Sequence, residues 1–209
     1  MKDVTPPELK KTFTKISKVF DRLKKDYPHE LLINFNNNDE IFAKYGWYIY
    51  DGTGIEEVLI ILKLINQGEI KKAEEKIENI YEHNLEDLED DLTVINAESS
   101  HIVKEAMICH RKQLYYASTI LFLSLADGQV QGKLFTKQYF QKIKKQNKNH
   151  FLLDIFNDYN RVNKPFIPNK SPDSELMRHG IMHGSSKNYG SKTNSLKALG
   201  LFHYISIRV

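Results

Sequence analysis

From Tyr115 to Leu125 the chain reads Tyr-Tyr-Ala-Ser-Thr-Ile-Leu-Phe-Leu-Ser-Leu, apolar nearly all the way round when wound as a helix. A helix without a polar face cannot lie on a surface; other elements must enclose it. The apolar stretch it belongs to, 114–126, is too short to span a bilayer and contains Ser and Thr. The constraint is therefore a buried helix at the centre of a bundle, and no membrane partner.

The rest of the chain supplies helices to surround it. Val58, Leu59, Ile61, Leu62 and Ile65 give 55–67 a wide apolar face, with Gly68 as its stop. Ile70, Ala73, Ile77 and Ile80 continue the helical period, and Asn84 can cap a further helix carrying Leu85, Leu88, Leu92 and Ile95. The longest helical pattern runs over 98–127 and contains the central stretch. A loop at 128–133 leads to a basic helix around 139–148 and another around 151–159. Pro165, Pro168 and Pro172 then mark a stiff connector over 162–171. Residues 194–207 close the pattern with Leu196, Leu199, Leu201, Ile205 and Ile207.

At the start, Thr5-Pro6-Pro7-Glu8 has capping-box spacing, and Leu9, Phe13, Ile16, Phe20 and Leu23 predict an amphipathic helix ending before Pro28. Residues 36–39 read as a loop and 41–50 as a short helix followed by an extended piece. Trp47 reads as a core or helix-docking residue, because nothing basic interleaves with its aromatic neighbours. There is no run of alternating strands, no P-loop and no internal repeat. The expected fold class is all-α.

The net charge of +3 is too small to imply nucleic-acid binding by itself, so a basic surface must come from local segregation. Residues 133–148 carry Lys133, Lys137, Lys142, Lys144, Lys145 and Lys148 against no acid. Residues 82–91 carry Glu82, Glu86, Asp87, Glu89, Asp90 and Asp91 against no Lys or Arg. A solvated helix face is the simplest account of the acidic run, whereas the basic run reads equally as a solvated face or as a binding surface. Cys109 stands alone and no charged-then-apolar leader is read, so the expectation is a cytoplasmic protein.

Chemistry concentrates in Arg178-His179-Gly180-Ile181-Met182-His183. Ser171 reads as an N-cap, Pro172 as the first helical residue, and Asp173 and Glu175 as acids favoured by the helix dipole. Gly184 reads as the residue just past the end. On such a helix His179 and His183 share a face, and Arg178 lies about 100° round from His179, so its long side chain must reach across. Gly180 in mid-helix costs roughly 1 kcal/mol relative to alanine, a cost offset if another backbone or a substrate presses close. A thinned helix surface carrying Arg and His suits a phosphate.

Arg178-His179-x-x-x-His183 resembles the Arg-x4-His signature of the HEPN superfamily. The segment 188–199, Asn-Tyr-Gly-Ser-Lys-Thr-Asn-Ser-Leu-Lys-Ala-Leu, is similar to the loop and last helix of bacterial HEPN-like proteins. Lys44-Tyr45-Gly46-Trp47-Tyr48-Ile49 and the stretch from His110-Arg111 to Asp127-Gly128 are similar to earlier helices of that group. The resemblance implies an up-and-down helical bundle over 44–209, with residues 1–43 as an additional N-terminal helical extension. It also implies a metal-independent endoribonuclease, a toxin or anti-phage or stress-response effector, with no cofactor and no metal. Two copies would pair as a homodimer, facing their signature helices across an RNA-binding groove. A neighbouring regulatory or antitoxin protein is a further possible partner.

These residue types fit that chemistry. Metal-free RNA cleavage needs a base for the 2′-hydroxyl proton, a cation for the crowded phosphorus, and an acid for the departing 5′-oxygen. Histidine serves either proton role near neutral pH, and a guanidinium suits phosphate oxygens. The expected roles are His183 as principal acid-base group, Arg178 as phosphate clamp and His179 as orienting or second proton-transfer group. Lys187, Asn188 and Lys192 are candidate substrate contacts. Asp127 matches an acidic position at the same helix end in relatives, and Asp173 an acid upstream of the arginine.

HEPN toxins silenced by nucleotide transfer carry a tyrosine two residues after the histidine; here Ser185 stands there, which argues against that regulation. A zinc helix built on His179 and His183 lacks both a glutamate in the HExxH position and an obvious third ligand. The remaining alternative is a non-catalytic HEPN-type module that binds RNA, a nucleotide or a protein.

Overall fold

The computed structural model describes residues 38–134, 136–146 and 176–209. Every regular element among them is a helix. They are α1 (Asn38–Ala43), α2 (Ile55–Asn66), α3 (Ile70–His83), α4 (Leu85–Ile95), α5 (Ser100–Arg111), α6 (Tyr115–Gln129), α7 (Lys137–Gln146), α8 (Arg178–Met182) and α9 (Lys192–Ser206), with a 3₁₀ turn at Ala97–Ser99. The chain is all-α, as expected, and no described helix is long and apolar enough to cross a membrane. The helices expected over 9–28 and 151–159, the connector over 162–171, and Ser171, Pro172 and Asp173 lie outside the described residues.

The chain forms two compact units. Of the described residues, one holds residue 38 with Gly54–Ala73, the other Asp39–Thr53 with 74–134, 136–146 and 176–209. In the first, α2 buries Val58, Leu59, Ile61 and Leu62, the face its spacing predicts. Gly68, at φ 77°, ends it.

The second unit is built on α6. Phe122, Leu123, Leu125 and Ala126 are buried, and α5, α8 and α9 all pack against this helix. Helix α9 is its largest partner and buries Leu196, Ala198, Leu199, Leu201, Phe202, Tyr204 and Ile205. At Gly200 an added methyl would sit 3.0 Å from the Tyr48 carbonyl oxygen and 2.5 Å from the Tyr81 hydroxyl. That hydroxyl, whose pKa burial pushes up, donates to the same carbonyl. Trp47 is fully buried, as expected; its indole N–H donates to Glu74 at 3.2 Å, and Lys197 donates to the same oxygen at 2.7 Å. Buried Asn96 joins three helices, donating to Leu92 at 2.8 Å and Ser206 at 3.4 Å and accepting from Gln129 at 2.6 Å.

One device closes most of these helices. After α2, α5, α6 and α8 the residue past the cap takes positive φ (Gly68, Gln113, Gln131 and Gly184), and after α1 it is Gly46, one residue later. In each case the next N–H reaches back to a carbonyl five residues earlier, as in Leu114 to Cys109 at 2.8 Å and Glu69 to Leu64 at 2.9 Å. This paired closure satisfies carbonyls the helix leaves open and turns the chain back on itself.

Three expectations need correction. The 98–127 pattern is two helices, because Gln113 at φ 59° stops α5 and starts the reversal into α6. The sequence offers no glycine or proline there. Asn84 stands at the N-cap position of α4, as expected, but its side chain makes no cap bond there and instead donates back to Ile80 of α3 at 2.7 Å. Helix α1 begins at Asn38, inside the expected loop, with Asp39 and Glu40 favouring its N-terminal end. The charge segregation is real at the surface: Glu86, Asp87, Asp90 and Asp91 are exposed on α4, and Lys142, Lys144 and Lys145 on α7.

Two substitutions should therefore move stability in opposite directions, measured by urea unfolding. Gly200→Ala, normally favourable in a helix, should destabilise by about 1–3 kcal/mol through overpacking against a backbone oxygen. Gln113→Gly should stabilise by about 0.5–1 kcal/mol by relieving the left-handed backbone, part of the gain being lost to unfolded-chain entropy.

Candidate functional site

Helix α8 is a single buttressed turn. Leu176 and Met177 enter it buried and non-helical, with Met177 at φ −108° and ψ 92° as N-cap. The helix thus begins at Arg178, rather than running unbroken from Pro172, because burying the Leu176-Met177 pair in extended form anchors the approach. Gly184, at φ 67°, closes the other end as expected; its N–H bonds Ile181 at 3.1 Å and that of Ser185 bonds Gly180 at 2.8 Å.

Gly180 and Ile181 face inward, while His179, Met182 and His183 are exposed. The two imidazoles meet edge to face with centroids 4.5 Å apart. The shared face predicted from their spacing is therefore present, and it is at the surface. Gly180 lies on the opposite, buried side. Because Gly180 is already buried within one chain, its missing side chain is not evidence for a close pairing of two signature helices.

Arg178 sits at the start of the turn, where its Nη2 lies 3.5 Å from Oδ2 of Asp127. Asp127 occupies the last turn of α6, where the helix dipole opposes a carboxylate. Arg178 and the Leu134 N–H, which donates to Oδ1 at 3.0 Å, offset that repulsion. The pair is about a quarter exposed on each side, 24% and 21%, so solvent reaches it. An ion pair of this length and exposure contributes roughly 0–1 kcal/mol.

The loop after α8 carries exposed Lys187 and Asn188, then folds back onto α6. Tyr189 packs edge to face on Tyr116 at 5.0 Å, and Gly190 is where the Tyr116 ring leaves no room for a side chain. Asn194 donates to the Tyr189 carbonyl at 2.9 Å, and Ser191 caps α9 by accepting from the Asn194 N–H at 3.2 Å. Lys192, the third expected substrate contact, pairs with Glu78 at 3.2 Å, and Thr193 donates to the same carboxylate at 2.5 Å. The structure thus joins Arg178 with Asp127 and His179 with His183, sets Lys187 and Asn188 on the adjoining loop, and commits Lys192 to α3. Asp173 lies outside the described residues.

Sequence reasoning missed a second constellation. His110 Nδ1 is 2.8 Å from Ser195 Oγ, its Nε2 is 3.2 Å from Glu82, and Ser118 Oγ is 2.6 Å from Ser195 Oγ. Hydroxyl, imidazole and carboxylate are in the order of a nucleophilic triad. Yet Ser195 and Ser118 are fully buried and His110 is 3% exposed, so no substrate carbonyl can reach the hydroxyl. The group instead ties α3, α5, α6 and α9 together through satisfied buried polar atoms. Partners so far apart in the chain leave no spacing signal.

Burial lowers the His110 pKa, with Glu82 pulling it partly back and Lys192 and Arg111 lowering it further. Burial likewise lowers that of His203, against the pull of Asp51 and Asp91. Among the described residues no group of three or more His, Cys, Asp or Glu side chains could hold a metal ion. Comparison with protein-family models, curated proteins and solved structures finds no match to this chain.

Both buried imidazoles are neutral in the fold and gain protons on unfolding, so their contribution is complete above the ordinary value of 6.5 and is lost as pH falls below it. Asp39, whose carboxyl burial raises, acts oppositely, in a window that opens at 3.8. The thermal midpoint should fall between about pH 7.5 and pH 5.5, and less steeply in His110→Gln than in the parent chain. A fluorophosphonate serine reagent should leave the folded chain unlabelled, and Ser195 labelling under native conditions would refute the sealed geometry.

Proposed function

We propose that this chain is a metal-independent endoribonuclease of the HEPN type, acting as a toxin or as an anti-phage or stress-response effector. The observation that carries the reading is one buttressed surface turn presenting two exposed, touching imidazoles, with a guanidinium at its first residue.

His183 takes the principal proton-transfer role, with His179 orienting it or serving the second transfer. Arg178 binds the scissile phosphate. Its contact with Asp127 is long and solvated, whereas a phosphate offers a forked, charge-assisted pair of hydrogen bonds. Asp127 aims the guanidinium before substrate arrives. Lys187 and Asn188 lie on the next loop, suited to neighbouring phosphates. One turn carries few groups, so the proposal includes a homodimer in which a second copy completes the groove. RNA is cut by attack of its own 2′-hydroxyl, leaving a cyclic phosphate and a 5′-hydroxyl.

The second reading, a non-catalytic binding module, draws on the Arg178–Asp127 pair, which engages the guanidinium within its own chain.

Purified chain incubated with total RNA and EDTA should generate cyclic-phosphate ends. Arg178→Ala and His183→Ala should each lower the rate by about 10² to 10⁴-fold, with circular dichroism and the sedimentation coefficient unchanged. Full activity in the double variant would end the proposal. RNA bound but left intact by the parent chain would favour the module.

A further inference from the structure

We infer that His179 and His183 form a surface chelate for a nitrogen-seeking divalent transition ion such as Zn²⁺ or Cu²⁺, one nitrogen from each ring, with water completing the shell. Four-residue spacing sets both rings on one side of α8, with centroids 4.5 Å apart at an interplanar angle of 61°. Two nitrogens each about 2.0–2.1 Å from one tetrahedral ion are about 3.3 Å apart. The chelate forms when the rings turn from this edge-to-face contact so that one nitrogen of each faces the ion.

The platform beneath them is fixed. Gly180 and Ile181 are buried on the inner side, and the paired hydrogen bonds around Gly184 close the turn one residue after His183. Both rings are exposed, so an ion with its remaining waters has access. Arg178 is the nearest cation in sequence, and its guanidinium lies 3.5 Å from Asp127. Two protein ligands leave the site open and the ion exchangeable, unlike a closed four-ligand structural zinc site. Imidazole ligation selects Zn²⁺, Ni²⁺ or Cu²⁺ over the oxygen-seeking Mg²⁺ and Ca²⁺. Because metal and proton compete for the same nitrogens, binding weakens on acidification.

An ion seated there occupies the imidazoles' lone pairs and removes them from proton transfer. The site is then a metal-controlled off switch, a consequence that rests on the ribonuclease reading; the chelate itself does not.

Calorimetric titration of the full chain with zinc chloride near neutral pH tests the chelate directly. The expected result is one ion per chain, with affinity about tenfold or more weaker in His179→Ala and in His183→Ala. His101→Ala, which removes an exposed imidazole elsewhere, should bind as the parent does, and magnesium chloride should give no heat. Circular dichroism confirms that each variant is folded. No zinc binding, or unchanged binding in the doubly substituted chain, overturns the chelate. In the RNA assay, zinc should suppress cleavage and EDTA restore it. Zinc bound at these residues with cleavage undiminished overturns the switch and leaves the chelate, whereas a chain inert toward RNA that still binds zinc overturns the ribonuclease reading alone.

Discussion

A helix with no polar face is stable in water only when other helices cover it, and the seam between α6 and α9 is where this chain meets that requirement. Leu, Phe and Tyr side chains of α9 supply the apolar cover. In the same seam Ser118 and Ser195 place hydroxyls against each other, and His110 with Glu82 completes their hydrogen bonding. Burying those polar atoms unpaired would cost roughly 1–3 kcal/mol each, so the network holds only one alignment of the helices. With α6 fixed, its last turn is fixed, and with it the carboxylate of Asp127 that receives Arg178. The candidate site inherits its position from the core.

Much of this was legible from residue order. The apolar stripes of α2 and α3, the burial of Trp47 and the glycine stops at Gly68 and Gly184 follow from helical period and backbone freedom. So does the packing of α6 against α5, α8 and α9, although α6 is not enclosed all round: Tyr116, Ala117 and Ser124 are exposed. Two kinds of feature were not legible. Helix ends at Gln113 and Gln131 use a residue that ordinarily continues a helix, and only the surrounding hydrogen bonds make the left-handed backbone tolerable. The contacts of Ser195 with His110 and of Asp127 with Arg178 span 85 and 51 residues, and polar pairs at such separations obey no period. The start of α8 was misplaced for a third reason. Capping signals at Ser171 and Pro172 are local, whereas the burial of Leu176 and Met177 is tertiary and decides where the turn begins.

The candidate site adds little to the stability of the fold. Asp127 stands where the dipole of its own helix repels it, and two imidazoles face solvent on a five-residue turn that contributes little helix of its own. The cost is borne by neighbouring structure: the buried entry residues, the inward Gly180 and the closure at Gly184. Such a turn can be substituted on its outer face with little loss of fold, and that is the condition under which activity and stability separate experimentally.

The opposed charge of α4 and α7 bears on kinetics rather than on equilibrium. A near-neutral sum conceals a local field, attractive to polyanions around the lysines of α7 and repulsive around the carboxylates of α4. Diffusing nucleic acid would meet these helices at different frequencies, and the bias would fade as added electrolyte shortened the screening length to about 8–10 Å. Encounter rate and its ionic-strength dependence are thus written into the outer faces of two helices whose inner faces bury Leu88 and Leu92 on α4 and Ile143 on α7.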